Sequence, residues 1–114
     1  MWPSENKVAN RLKKLGWQIE EIDRWVHKKP YADFIICKNG LKRVIEVKTV
    51  TKGSNDKVIC YHKNFNFMIV TSKYFYYVIP ISKITNDKAY LHLRDYSEYK
   101  NRFDLLNLKA RRKI

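Results

Sequence analysis

Residues 31–50 read YADFIICKNGLKRVIEVKTV, two runs rich in β-branched residues on either side of Asn39-Gly40. This dipeptide is typical of a two-residue type I′ turn, because both central residues of that turn need a positive φ angle. The segment therefore predicts a β-hairpin in which Lys38 faces Leu41.

The register of this hairpin brings two acidic residues together. Counting back from the turn, Asp33 lies opposite Glu46, and opposed residues share a face of the sheet with Cβ atoms roughly 4.5–5.5 Å apart. The two-residue period of a strand adds Lys48 to the same face. Two carboxylates at that separation repel by about 3 kcal/mol at an effective dielectric of about 20, so a cation has to offset them. Lys48 offers one charge, and a hard divalent ion, Mg²⁺ above all, fits two convergent carboxylates better.

The composition indicates one basic domain. A chain of 114 residues predicts a single domain over residues 1–114 with a modest core. It carries 24 Lys and Arg against 11 Asp and Glu, a formal net charge of +13. This excess favours a polyanionic partner, with nucleic acid as the first candidate and an acidic membrane surface as the second.

Two further features bear on the environment of the protein. No run approaches the ~20 apolar residues of a membrane span, and no signal-peptide pattern opens the chain, so we expect a soluble, cytoplasmic protein. Cys37 and Cys60 lack the spacing of a metal site, and we expect both to be free, buried thiols.

The N-terminal segment predicts a helix that carries a third acid. Apolar residues at helical spacing between the N-cap candidate Ser4 and the C′ candidate Gly16 predict a helix from about Glu5 to Leu15. Glu5 falls at the N-terminal end of its buried face. It is either a first-turn acid that faces the helix dipole or a third acid directed at the hairpin site.

The rest of the chain predicts an α/β fold. Both faces of the 31–50 hairpin are largely apolar, and a sheet of that kind is covered on both sides. The predicted elements are a first strand over 17–22, a short strand or turn over 58–64, a second hairpin with strands over 67–71 and 74–80, a short strand over 89–93, and a helix over 97–108.

Seven basic residues flank the predicted acidic site in sequence, and we predict that they contact nucleic acid. Four of them precede the Asp33 strand, where a solvated charged loop and a set of phosphate contacts are equally compatible with the sequence. The seven residues are Arg24, His27, Lys28, Lys29, Lys52, Lys57 and Lys63.

At Asp33, at Glu46-Val47-Lys48 and in the preceding Glu5 helix, the chain resembles the PD-(D/E)XK, or restriction-endonuclease-like, nuclease superfamily. The order of helix, strand, Asp-bearing strand and Glu-x-Lys strand is the one that this superfamily shows, although Pro30 stands three positions before the aspartate. The similarity lies near the intron-encoded homing endonuclease and archaeal Holliday junction resolvase branches. It implies an αβββ(α)β core, with a mixed central sheet flanked by an N-terminal and a C-terminal helix.

The resemblance also implies roles for the site residues. Asp33, Glu46 and the backbone carbonyl of Val47 would hold Mg²⁺, or Mn²⁺ in its place. Lys48 would orient or activate the attacking water and stabilise charge on the phosphate. Glu5 would act through a second metal site or a bridging water.

These implications lead to one main functional expectation and two rivals. We expect a Mg²⁺-dependent DNA endonuclease of the homing or junction-resolving type. Because a chain of this size covers little of a duplex, we expect a homodimer or a higher homo-oligomer. The first rival is a non-catalytic nucleic-acid-binding module on the same fold. The second is a basic structural protein in which Asp33, Glu46 and Lys48 form only an ion-pair cluster.

The double change Lys28→Ala with Lys29→Ala tests the basic loop before Asp33. Loss of two phosphate contacts should weaken DNA binding and flatten its salt dependence, because each contact releases counterions on binding. A titration of duplex DNA at several salt concentrations measures the slope. A slope equal to that of the unmodified protein would remove the loop from the interface.

Overall fold

One α-helix, two β-sheets and three short 3₁₀ helices form the regular structure within the described residues. A computed structural model describes residues 3–21, 32–50, 53, 56–60, 64–72, 74–84 and 90–108. Helix α1 spans Pro3–Lys14. The strands are β1 (Gln18–Glu21), β2 (Phe34–Lys38), β3 (Leu41–Thr49), β4 (Lys57–Ile59), β5 (Phe67–Thr71), β6 (Tyr76–Pro80) and β7 (Tyr90–His92). The 3₁₀ helices are Ile81–Lys83, Leu93–Tyr99 and Phe103–Asn107.

Strands β2 and β3 form the predicted hairpin in the predicted register. Lys38 pairs with Leu41 across the turn. Asn39 and Gly40 have φ angles of 49° and 79°, as a type I′ turn requires. Asp33 directly precedes β2, and its N–H donates to the carbonyl of Ile45, the residue that pairs with Phe34, at 2.9 Å, so this bond lies one residue out of the hairpin register.

The hairpin lies within a five-stranded mixed sheet of order β1-β2-β3-β5-β6. Strands β3 and β5 are parallel, whereas the other neighbours are antiparallel. Strands β4 and β7 pair separately as a two-stranded antiparallel sheet, which we call the small sheet. This arrangement confirms the predicted α/β class with a mixed central sheet.

The central sheet is covered on both faces, as its sequence predicts. On the helix face, Ile45 and Val47 of β3 pack with Val8 and Leu12 of α1. The other face, which we call the small-sheet face, packs against β4 and β7. The buried residues of that core include Val58, Met68, Val70, Ile79 and Leu91. Because side chains alternate along a strand, Glu46 lies on the small-sheet face, between two residues that point to α1.

The C-terminal segment corrects one prediction. Residues 97–108 do not form one α-helix: a break at Asn101, with φ of 54°, separates the 3₁₀ helices Leu93–Tyr99 and Phe103–Asn107. Asn101 binds the edge strand β6 at this break. Its N–H donates to the Tyr76 carbonyl at 2.6 Å, and its side-chain oxygen accepts from the Tyr76 N–H at 3.0 Å. Hydrogen bonding to an exposed strand edge therefore replaces a helical turn.

The thiols and the single α-helix bear on two further expectations. Cys37 and Cys60 are both free, as predicted, although only Cys60 is buried and Cys37 is half-buried. Helix α1 is the α-helix of the described chain, and no helix there is long and apolar enough to cross a membrane.

Substitution at the hairpin turn tests how strongly it specifies the register. Gly40→Val should lower the free energy of unfolding by about 1–2 kcal/mol, because a β-branched L-residue is strained at positive φ. Strain alone sets this cost, since a Cβ atom at Gly40 would meet no other atom within 4 Å. Urea unfolding measures the difference, and Asn39→Gly, which keeps a residue tolerant of positive φ, should cost clearly less. An equal decrease in the free energy of unfolding in Gly40→Val and Asn39→Gly would contradict this account of the turn.

Candidate functional site

Asp33 lies where β2 begins, and Glu46 lies in the middle of the neighbouring strand β3. Glu46 is only 5% exposed, and its Oε2 atom is fully enclosed. Asp33 is half-buried, and its Oδ2 atom accepts a hydrogen bond from the Val47 N–H at 2.7 Å. This bond to a backbone donor stabilises the negative charge of Asp33 and holds its carboxylate against β3, beside Glu46.

The backbone N–H and C=O of Val47 are both directed toward the side of β3 on which Asp33 lies. In an extended strand, the N–H and C=O of one residue point toward the same neighbouring strand, as they do in a hydrogen-bonded antiparallel pair. Because the Val47 N–H binds Asp33, the Val47 carbonyl is directed toward the Asp33 side of β3. The backbone thus brings the carbonyl oxygen toward the predicted carboxylate site.

The donor set of this site fits a hard divalent ion. Among the described residues, no group of three or more His, Cys, Asp and Glu side chains has an arrangement that could hold a metal. Mg²⁺ commonly uses only one or two carboxylates and keeps several waters, so Asp33, Glu46 and a backbone carbonyl provide a suitable set of oxygen ligands.

Lys48 follows Glu46 on the same face of β3. Its backbone pairs with Val70 of β5, and its side chain is half-buried. The alternation of β3 therefore places Lys48 on the same face as Glu46, and its role beside the two acids stays a prediction.

Glu5 occupies a different layer from Glu46. It is 6% exposed in the first turn of α1, so its predicted burial is confirmed. Helix α1 covers the helix face of the sheet, whereas Glu46 belongs to the small-sheet face. Participation of Glu5 in the site stays a prediction.

Of the seven predicted nucleic-acid contacts, Lys57 is the one that lies within the described residues. It is the first residue of β4, and its Nζ atom lies 4.5 Å from the centroid of the Tyr90 ring. The other six lie outside the described residues: Arg24, His27, Lys28, Lys29, Lys52 and Lys63.

A polar cluster around Asp56 was not predicted from the sequence. Its Oδ2 atom lies 3.0 Å from His92 Nδ1, and its Oδ1 atom accepts from the Arg94 N–H at 2.8 Å. Burial raises the pKa of the Tyr77 hydroxyl, and the negative charge of Asp56 raises it further. Tyr77 belongs to the core on the small-sheet face, so the charge of Asp56 influences a residue of that core. The partners are 36 and 38 residues apart in sequence, and a lone histidine in a three-residue strand gives no signal of such a contact.

The fold is shared with a known nuclease. The chain aligns with a solved structure of a bacterial homing endonuclease, I-Ssp6803I, at a TM-score of 0.72 and 17% sequence identity. The alignment covers 90% of this chain and 85% of that chain. No family model matches the sequence, and a search of curated proteins gives no significant match. The structure therefore establishes a nuclease-like α/β fold.

Glu46→Gln tests the electrostatic character of the acidic pair. Without divalent ions, removal of one charge should raise the free energy of unfolding, by at most about 3 kcal/mol, because carboxylate repulsion is relieved. Addition of Mg²⁺ should raise the melting temperature of the unmodified protein more than that of the variant, since a ligand stabilises the state that binds it.

Thermal unfolding with and without Mg²⁺ measures both effects. The exposed β1 residue Glu20 supplies the matched control, and Glu20→Gln should leave both quantities nearly unchanged. Loss of stability in Glu46→Gln, together with an unchanged response to Mg²⁺, would contradict a metal-binding acidic pair.

Proposed function

We propose that this protein is a divalent-metal-dependent DNA endonuclease that hydrolyses phosphodiester bonds. The observation that carries the proposal is the Asp33 carboxylate held by the N–H of Val47, the residue between Glu46 and Lys48, on a fold shared with a homing endonuclease. The net charge of +13 suits a polyanionic substrate. The structural neighbour favours the homing type over the junction-resolving type.

Asp33, Glu46 and the Val47 carbonyl are the proposed ligands of Mg²⁺. When bound, the ion would acidify a coordinated water and offset the charge of the scissile phosphate. The protein contributes positioning: the Val47 N–H fixes the Asp33 carboxylate, and burial on the small-sheet face fixes Glu46. Rigid placement of this kind limits reorganisation during the reaction.

Lys48 is the proposed partner of the phosphate and of the attacking water. Its ammonium group has three donors and no acceptor, so it can orient a water oxygen and stabilise negative charge on a phosphate oxygen. Glu5 is proposed as an auxiliary acid, acting through a second metal site or a bridging water. Its burial in the first turn of α1 is compatible with either role or with a structural one.

A homodimer or higher homo-oligomer is the proposed assembly. One chain carries one acidic pair within its described residues, and two copies related by a two-fold axis would present one pair to each strand of a duplex. This arrangement suits a nuclease that cuts both strands.

Cleavage of labelled DNA tests the proposed activity. The unmodified protein should cut in Mg²⁺ or Mn²⁺ and not in EDTA, with linear duplex, four-way junction and single-stranded DNA as substrates. Asp33→Ala and Glu46→Ala should each abolish cutting while DNA affinity is kept or raised, because a charge that repels phosphate is removed. Lys48→Ala should lower the rate while the stabilisation by Mg²⁺ persists.

The exposed residue Glu21 provides the control for this experiment, and Glu21→Ala should cut at the rate of the unmodified protein. Metal-dependent cutting that survives in both Asp33→Ala and Glu46→Ala would reject the site. Tight DNA binding without cutting of any substrate would favour a non-catalytic binding module on the same fold.

A further inference from the structure

The small sheet presents one face to the core and the other outward. Val58 of β4 and Leu91 of β7 are opposed and buried against the central sheet. The alternate positions therefore point away from the core, where Lys57 pairs with His92 and Ile59 pairs with Tyr90. We call Lys57, Tyr90 and His92, together with Arg94 just after β7, the outer patch.

Tyr90 positions Lys57 within the outer patch. The Lys57 Nζ atom lies 4.5 Å from the Tyr90 ring centroid, within the range of a cation–π interaction. Tyr90 remains 39% exposed, so the ring that holds this ammonium group is partly open to solvent. Contact with the ring restricts a long, flexible side chain before any ligand binds.

Asp56 positions the other half of the outer patch. It contacts the His92 ring at 3.0 Å, accepts from the Arg94 backbone, and lies 3.8 Å from Arg94 Nη1. The His92 ring in turn packs edge-on against Tyr90, with the ring centroids 5.6 Å apart. The Arg94 side chain is nevertheless 72% exposed, so its guanidinium remains accessible.

We infer that the outer patch binds the phosphate backbone of duplex DNA. Lys57 and Arg94 are the proposed phosphate contacts, and Tyr90, with the Asp56–His92 pair, holds them in place. Lys57 and Arg94 against Asp56 give these residues together a formal charge of +1, in keeping with the charge of the chain. Preorganised cations lose less side-chain entropy on binding than mobile ones.

The position of the outer patch supports this assignment. The small sheet packs on the face of the central sheet that carries Glu46 and Lys48, so the outer patch lies on the side of the central sheet away from α1. A duplex that contacts the outer patch would therefore approach from the side of the small sheet. The inference rests on the proposed function for its substrate, but its test requires no cleavage.

Salt-dependent DNA binding in EDTA tests the outer patch. The probe is a short linear duplex, and fluorescence anisotropy gives the dissociation constant at several salt concentrations. Lys57→Ala and Arg94→Ala should each make the slope of log K against log salt shallower by about 0.9, and the double variant by about 1.8. Each single variant should bind up to about fivefold more weakly at low salt, whatever the DNA sequence.

Three further variants separate positioning from simple loss of charge. Tyr90→Leu should reproduce part of the Lys57→Ala loss, whereas Tyr90→Phe, which keeps the aromatic ring, should not. Lys14→Ala removes an exposed lysine from α1, on the opposite side of the central sheet, and should leave the slope unchanged.

Slopes for Lys57→Ala and Arg94→Ala equal to that of the unmodified protein would overturn the inference. A change of slope in Lys14→Ala equal to that in Lys57→Ala or Arg94→Ala would also overturn the inference, because the overall charge of the protein would then explain the binding. Failure of the proposed function is distinguishable: absence of metal-dependent cutting with the expected changes in slope would reject the nuclease and keep the phosphate-binding patch.

Discussion

The structure depends on the register of the β2–β3 hairpin. Positive φ angles at Asn39 and Gly40 fix a two-residue turn, and that turn fixes which residues oppose each other. Side chains alternate with a period of two, so a slip of one residue would send Glu46 into the apolar layer beneath α1 and bring Ile45 or Val47 out of it. The core and the acidic pair therefore require the same register.

The burial of Glu46 determines how strongly this carboxylate would interact with a cation. The parallel pairing of β3 with β5 places Glu46 near the middle of the central sheet, and the small sheet covers the face on which it lies. The charge of an exposed carboxylate is screened by water, whereas a buried carboxylate such as Glu46 would interact more strongly with a bound cation. The same burial that makes the Glu46 charge costly for folding would favour binding of the proposed metal ion.

The small sheet links the core to the proposed nucleic-acid surface. Its inner residues, Val58 and Leu91, pack on the central sheet, while its outer residues carry the basic and aromatic groups around Asp56. A two-stranded sheet is only marginally stable alone, so its packing on the larger sheet is needed to hold the outer patch in a fixed geometry. The geometry of the surface proposed to bind DNA therefore depends on the packing of the small sheet against the central sheet.

Local sequence alone determined the hairpin, the alternation of its faces, and the first helix with a buried Glu5. Each follows from turn chemistry or periodicity over a few residues. The tertiary structure decided what depends on distant partners: the β6 edge binds Asn101 and interrupts the expected C-terminal helix, Asp56 reaches His92 and Arg94, and α1 places Glu5 in the layer opposite Glu46. Such contacts join residues that are far apart in the chain, and no local pattern encodes which of them meet.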